Sequence, residues 1–227
     1  MKPAKAARPP APPSGNTRAP WNKVEFAALD FEATGLDFRR DTVISFGVVP
    51  IRNGRIEVGE AVYELVDPGE VPHSHEAITI HGLRPADLRG MPSLVDARER
   101  LAAALTRRFL VTWFAGVEAA FLDKVFGGGA RSWLRRAVDV RKLVVVLDRR
   151  EGRPGQPGAL SLAGAARRYG VPVASPHNAL DDALVTAQLF LVVATALGRH
   201  GYRTVRHLLS ETTGGAPLLH RPRAPNA

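Results

Sequence analysis

The chain is predicted to form a mixed α/β domain with one sheet flanked by helices, and three features say so. Extended, β-branched segments follow one another near the N-terminus, two of them joined across Asn53-Gly54, a strong hairpin signal. From Leu94 onward, helical segments alternate with short apolar strands. A length of 227 residues with 45% hydrophobic content suffices for one substantial core.

Taken in order, residues 1–20 are rich in Pro, Ala and basic side chains and are expected to be a disordered tail. The domain is expected over 21–211, with a second disordered tail over 212–227. Residues 24–32 read as the first strand, 42–52 and 55–66 as the next two, in an antiparallel three-stranded meander. A loop-rich connection over 70–91 carries His73, His75 and His81. An amphipathic helix over 94–109, a strand over 110–114 and a helix over 117–126 follow, stopped by Gly127-Gly128-Gly129. Then come a strand over 137–140, a helix over 141–148, a Gly/Pro loop over 151–158 and a helix over 160–169 with Gly170 as its C-cap. A long helix over 179–197 and a short one over 202–209 complete the pattern. No internal repeat is present.

Composition narrows the function classes. The absence of cysteine excludes disulfides, zinc-thiolate sites and thiol nucleophiles, and fits a reducing, cytoplasmic setting. No apolar run reaches the roughly 18 residues of a membrane span. The longest, 183–197, carries Thr186, Gln188 and Thr195, so no membrane association is expected. The N-terminus is basic but lacks the apolar core of a secretory signal. The net charge of +9 points to a polyanionic partner, but six of those charges (Lys2, Lys5, Arg8, Arg18, Arg221, Arg223) lie in the two tails, leaving +3 on the domain.

The chemistry concentrates at two places. Asp30 and Glu32 lie one residue apart on the first strand and share a face. Two acids on an apolar strand are expensive unless a positive group binds them, and Mg²⁺ or Mn²⁺ favours carboxylate oxygens. Far along the chain, His177 precedes Asp182 by five residues at the start of the long helix. That is more than one turn, so His177 is expected on the preceding loop, as Pro176 suggests. Asp181 reads as a helix N-terminal charge only.

The string Leu29-Asp30-Phe31-Glu32-Ala33-Thr34-Gly35-Leu36 resembles the first motif of the DEDD-type 3′–5′ exonucleases, the family of the polymerase proofreading subunits. Tyr169-Gly170-Val171-Pro172, followed by His177 through Asp182, resembles the third motif in its His variant. Ile80-His81-Gly82-Leu83 and Val138-Asp139-Val140 are smaller, collinear echoes, and the resemblance covers 24–197. The second motif departs from the family pattern. Phe121 and Leu122 fix its register, which places Glu118 where the family has Asp, while Trp113 and Phe114 replace a His-Asn pair. Asp123 is the rival acid.

The resemblance implies a ribonuclease H-like sheet and two Mg²⁺ (or Mn²⁺) ions about 4 Å apart. Asp30, Glu32 and Asp182 would bind them directly and Glu118 through water, with His177 as general base. Thr34, Gly35 and Leu36 would line the terminal nucleotide, and His81 would touch DNA or cap a turn. The implied activity is release of nucleoside 5′-monophosphates from single-stranded or frayed DNA, with RNA as the alternative substrate and a DNA polymerase as a partner. A non-catalytic nucleic-acid-binding or polymerase-associated module is the reading from a different class, should the altered second motif impair the site. Trp113 and Phe114 would fill core space or stack on a base. The arginines of 131–153 would track phosphates or form solvated helix faces.

Overall fold

The computed structural model describes residues 8–153, 160–173 and 177–213. Strands β1 (Phe26–Ala33), β2 (Val43–Arg52), β3 (Arg55–Ile56), β4 (Val62–Leu65), β5 (Phe109–Thr112) and β6 (Ala137–Asp139) form one mixed sheet. Its order is β3-β2-β1-β5-β6, with β4 also paired to β2. β2 runs antiparallel to β1, β3 and β4, whereas β5 runs parallel to β1 and β6 parallel to β5. The fold class therefore matches the sequence expectation.

Helices cover both faces. α3 (Leu94–Leu105) and α4 (Ala115–Phe126) share a core with Ala27, Leu29, Phe31 and Ala33 of β1. α6 (Val140–Arg150), α7 (Leu162–Arg168), α8 (Ala179–Gly198) and α9 (Val205–Thr213) share the other core with Phe26 and Ala28. The two-residue alternation of β1 thus puts Asp30 and Glu32 on the α8 side. Among the described residues, α8 alone is long and apolar enough to cross a membrane, yet half of it is buried here, packed on β1 and β2.

Several boundaries differ from expectation. The third predicted strand is broken by a 3-10 turn at Val58–Glu60, where Val58 is exposed and Gly59 offers no side chain to the sheet. The loop-rich stretch over 70–91 contains α1 (His75–His81) and α2 (Pro85–Leu88). Ser74 caps α1 by accepting from the Ala77 amide at 3.0 Å, and Gly82 ends it at φ 74°. A further short helix, α5 (Ala130–Leu134), follows the glycine triplet. The tail expected through Pro20 is corrected for residues 8–20. Ala11 and Ser14 exchange backbone hydrogen bonds with Arg107, and Pro20 bridges Thr204. α9 likewise carries the ordered chain to Thr213, past the expected end at 211.

One packing contact fixes the depth of α8. Gly47 on β2 sits opposite Asp30 of β1. A Cβ at Gly47 would lie 2.2 Å from the Ala179 carbonyl oxygen and 2.5 Å from the Leu180 Cα. Glycine therefore lets the start of α8 descend onto the sheet beside Asp30. Gly47→Ala is expected to destabilise the protein by about 1–3 kcal/mol, because backbone rather than a flexible side chain must yield. Chemical denaturation measures this, and an unchanged midpoint would contradict the contact.

Candidate active site

The site lies where the C-terminal ends of β1, β5 and β6 meet the N-terminus of α8. Asp30 and Glu32 enter from β1 and are half-buried. Asn178 caps α8, its Oδ1 accepting from the Leu180 amide at 3.0 Å and the Asp181 amide at 3.3 Å. This sets Asp182 one turn into the helix. His177 lies on the loop before the cap, exposed, with φ 65°. Its backbone N–H donates to Asp182 Oδ2 at 3.0 Å. Ligand atoms of Glu32, His177 and Asp182 all lie within 4.8 Å of one another. Pro176 lies outside the described residues.

Glu118 arrives from the first turn of α4. It is 5% exposed, and its Oε2 has no hydrogen-bond partner. The start of α4 is held by Asp139, whose Oδ2 accepts from the Ala115 amide at 3.2 Å and whose Oδ1 caps α6 through the Lys142 amide at 3.0 Å. In the sequence Asp139 stood out only within the Val138-Asp139-Val140 echo of the family pattern. Asp123, the rival acid, accepts from the Gly129 amide at 2.8 Å. It thus ties the far end of α4 to the glycine turn that follows.

The acids perturb one another. Burial, and then the charges of Glu118, Glu32 and Asp182, push Asp30 well above the usual carboxylate range. Burial and then Asp182 push Glu32 up to about 8. Burial raises Glu118, with Asp139 adding to the rise. Burial also raises Asp182, against the hydrogen bond from His177. A desolvated cluster of like charges with an unpartnered buried oxygen is the donor set a divalent cation satisfies, so these residues fit such an ion.

The expected nucleotide-lining residues divide. Leu36 is 64% exposed and free to meet a ligand, whereas Thr34 is fully buried. The Thr34 hydroxyl donates to Asp41 Oδ1 at 2.9 Å and accepts from the Thr42 amide at 3.1 Å. Its side chain is therefore scaffold, which corrects its expected place in the nucleotide lining. His81 ends α1, where its Nδ1 accepts from the Leu83 amide at 3.0 Å, so it caps a turn. Trp113 is half-buried against the α8-side core. Phe114 is half-exposed, with the Arg141 guanidinium 5.2 Å above its ring. Among the arginines of 131–153, Arg136 stacks on Trp133 at 3.7 Å and Arg153 pairs with Glu151 and Asp148. They do not form one continuous free track. Gly47, absent from the sequence-derived site, is what allows the constellation. Its one signal was a glycine inside a strand.

A family model described as exonuclease matches residues 27–190, and the chain belongs to that family. A DNA polymerase III subunit epsilon-like protein of Rhodobacter capsulatus is 28% identical over 210 residues, covering 91% of this chain and 29% of the relative. A PolC-type DNA polymerase III of Thermotoga petrophila is 30% identical over 176 residues, covering 75% of this chain and 12% of the relative. The chain thus spans less than a third of either. Escherichia coli exonuclease I in complex with a dA16 oligonucleotide shares the fold at a TM-score of 0.65 and 15% identity, covering 77% of this chain and 42% of that one. Exonuclease X in complex with 5′ overhanging duplex DNA shares it at a TM-score of 0.59 and 22% identity, covering 82% of this chain and 99% of that one. The family is metal-dependent.

The raised acids make stability depend on pH in a defined direction. Glu32 keeps its proton up to about 8 in the folded state but releases it near 4.5 when unfolded. The folded state therefore binds more protons between these values, and metal-free stability falls as pH rises through that window. Burial lowers His73 and His81 below 6.5, which opposes this slope only beneath that pH. Between pH 6.5 and 8 the metal-free melting temperature should fall in wild type and fall less in Glu32→Gln. Saturating Mn²⁺ should raise the melting temperature and flatten the wild-type slope. A wild-type slope equal to that of Glu32→Gln would contradict the coupling.

Proposed function

We propose that this exonuclease hydrolyses phosphodiester bonds at the 3′ end of single-stranded or frayed DNA, releasing nucleoside 5′-monophosphates with two Mg²⁺ or Mn²⁺ ions. The observation that carries this reading is the convergence of Asp30, Glu32, Glu118 and Asp182, with His177 exposed at the edge. Cations held there would neutralise the scissile phosphate and lower the pKa of an attacking water. Asp30, Glu32 and Asp182 would hold them, and the buried Glu118 oxygen faces the same charge. His177 stands on the solvent side within reach of Glu32 and Asp182, placed to take the proton of that water. Its backbone bond to Asp182 keeps loop and helix in one arrangement. Leu36 and Gly35 offer the surface for the terminal nucleotide.

DNA is favoured as substrate because exonucleases I and X were solved with DNA. Association with a DNA polymerase, and a cytoplasmic location, are proposed from the naming of the sequence relatives. End-labelled DNA and RNA strands, digested with Mg²⁺, Mn²⁺ or EDTA, test the reading. Mononucleotides should appear from the 3′ end of DNA and vanish with EDTA. Intact DNA in both metals would overturn it.

Two substitutions probe the roles. Glu118→Gln should lower the rate on a labelled single strand far more than Asp123→Asn, because only Glu118 adds charge beside Asp30. The reverse order would hand the second-motif role to Asp123. His177→Ala should lower the rate by roughly 10²–10⁴-fold, the usual worth of general-base catalysis. Mn²⁺ affinity by calorimetry should change little, and a parallel loss of affinity would make His177 a ligand.

A further inference from the structure

The loop after β1 is shaped around one carboxylate that no motif marks. Asp41 accepts at both oxygens: Oδ1 from the Thr34 hydroxyl at 2.9 Å and Oδ2 from the Asp37 amide at 2.7 Å. Its own amide donates to the Asp37 carbonyl at 2.7 Å. The carboxylate also lies against Gly35, where an added Cβ would sit 2.4 Å from Oδ2. The Thr34 amide donates to the Thr42 carbonyl at 2.9 Å, and the Thr34 carbonyl accepts from the Ser74 amide at 2.8 Å. The turn of residues 34–37 is thus folded onto Asp41, with Leu36 projecting to solvent.

A second set of contacts joins this turn to α4. Lys124 Nζ donates to the Asp41 carbonyl. Phe38 meets Phe121 edge-on, with ring centroids 5.2 Å apart. Both partners lie on the helix that carries Glu118. A shift of the turn would therefore be felt by that helix.

We propose that Asp41 is a positioning residue that fixes Gly35 and Leu36 as the seat of the strand's terminal nucleotide and, through the contact of its backbone with Lys124, holds that seat in register with Glu118. The proposal rests on the exonuclease reading of this site. A carboxylate suits the place because both oxygens face donors as the loop stands. An amide would turn its NH₂ either toward the Asp37 N–H, donor against donor, or toward the Thr34 hydroxyl, which would then have to accept on its second lone pair and give up the bond it now donates. Loss of the carboxylate loosens the seat without touching the reacting atoms, so it weakens strand binding rather than the chemical step.

The test compares wild type, Asp41→Ala, Asp41→Asn and Thr34→Val. Steady-state rates are measured on a single-stranded oligonucleotide at saturating Mn²⁺. Binding of the same strand with a fluorescent base at its 3′ end is measured without divalent metal. Asp41→Ala should raise KM roughly tenfold with kcat within about threefold, and the metal-free Kd should rise in parallel. Asp41→Asn and Thr34→Val should move KM and Kd the same way by less. Thr34→Val combined with Asp41→Ala should add little, since both remove one bond. A KM and Kd within about twofold of wild type, or a fall in kcat at unchanged KM, overturns the proposal. If Asp41→Ala does not fold, the two milder variants decide by the same criteria. Failure of the exonuclease reading itself is distinct, since wild type would then leave the strand intact and the binding arm alone would judge Asp41.

Discussion

Asp30, Glu32, Glu118 and Asp182 converge from β1, α4 and α8, and each is carried there by an element that buries mostly apolar side chains. Taking like charges out of water is opposed both by desolvation and by mutual repulsion, which is why all four hold protons more tightly than free carboxylates. Hydrophobic burial supplies the counterweight. Phe26, Leu29, Phe190 and their neighbours are fully buried on either side of the same strand and helix. The fold tolerates its site because the cores hold the elements together whatever the acids prefer. A divalent cation converts that opposition into attraction.

The helix that brings Asp182 is positioned by an absence. Gly47 removes the one side chain that would separate α8 from β2 at the level of Asp30. Behind that contact, Ala183, Ala187 and Ala194 are fully buried, so α8 lies against its neighbours along much of its length. The acids of β1 and α8 therefore share a site because small residues permit two backbones to approach. Asp139 plays the corresponding part for α4, since one carboxylate tethers the starts of both α4 and α6.

What could be read in advance follows from which forces are local. The two-residue alternation of β1, the Asn53-Gly54 turn and the spacing of His177 and Asp182 are properties of neighbouring residues, and they made the sheet and most of the candidate site legible. Phe121 and Leu122, from which the second-motif register is read, are both buried. Gly47 was invisible because its meaning depends on strand pairing and on a helix more than a hundred residues away. Thr34 was misplaced for a related reason: its hydroxyl is taken by Asp41, a partner that only the closed loop supplies. Composition misjudged the proline-rich start, because Gly15 packs directly on Val24 and Phe109 of the folded domain. The capped α1 was passed over because helices this short draw their stability from context rather than propensity.

His177 and Asp182 are tied more closely than a base and a metal ligand need be. A φ of 65° is left-handed backbone, which a non-glycine residue adopts at about 1–2 kcal/mol. The observed compensation is the hydrogen bond from the His177 amide to Asp182 Oδ2, a charge-assisted bond when the carboxylate is ionised. Oδ2 thus serves the loop. On the proposed function, ionising Asp182 would do two things at once: complete the donor set and strengthen the bond that holds the histidine loop in its strained form. Metal binding, which favours the ionised carboxylate, would therefore also favour the loop geometry that presents His177. Replacing Asp182 by Asn would remove a proposed ligand and weaken that bond together, so loss of activity in such a variant measures both. Separating them requires His177→Ala, which deletes the imidazole but keeps the amide that Asp182 receives.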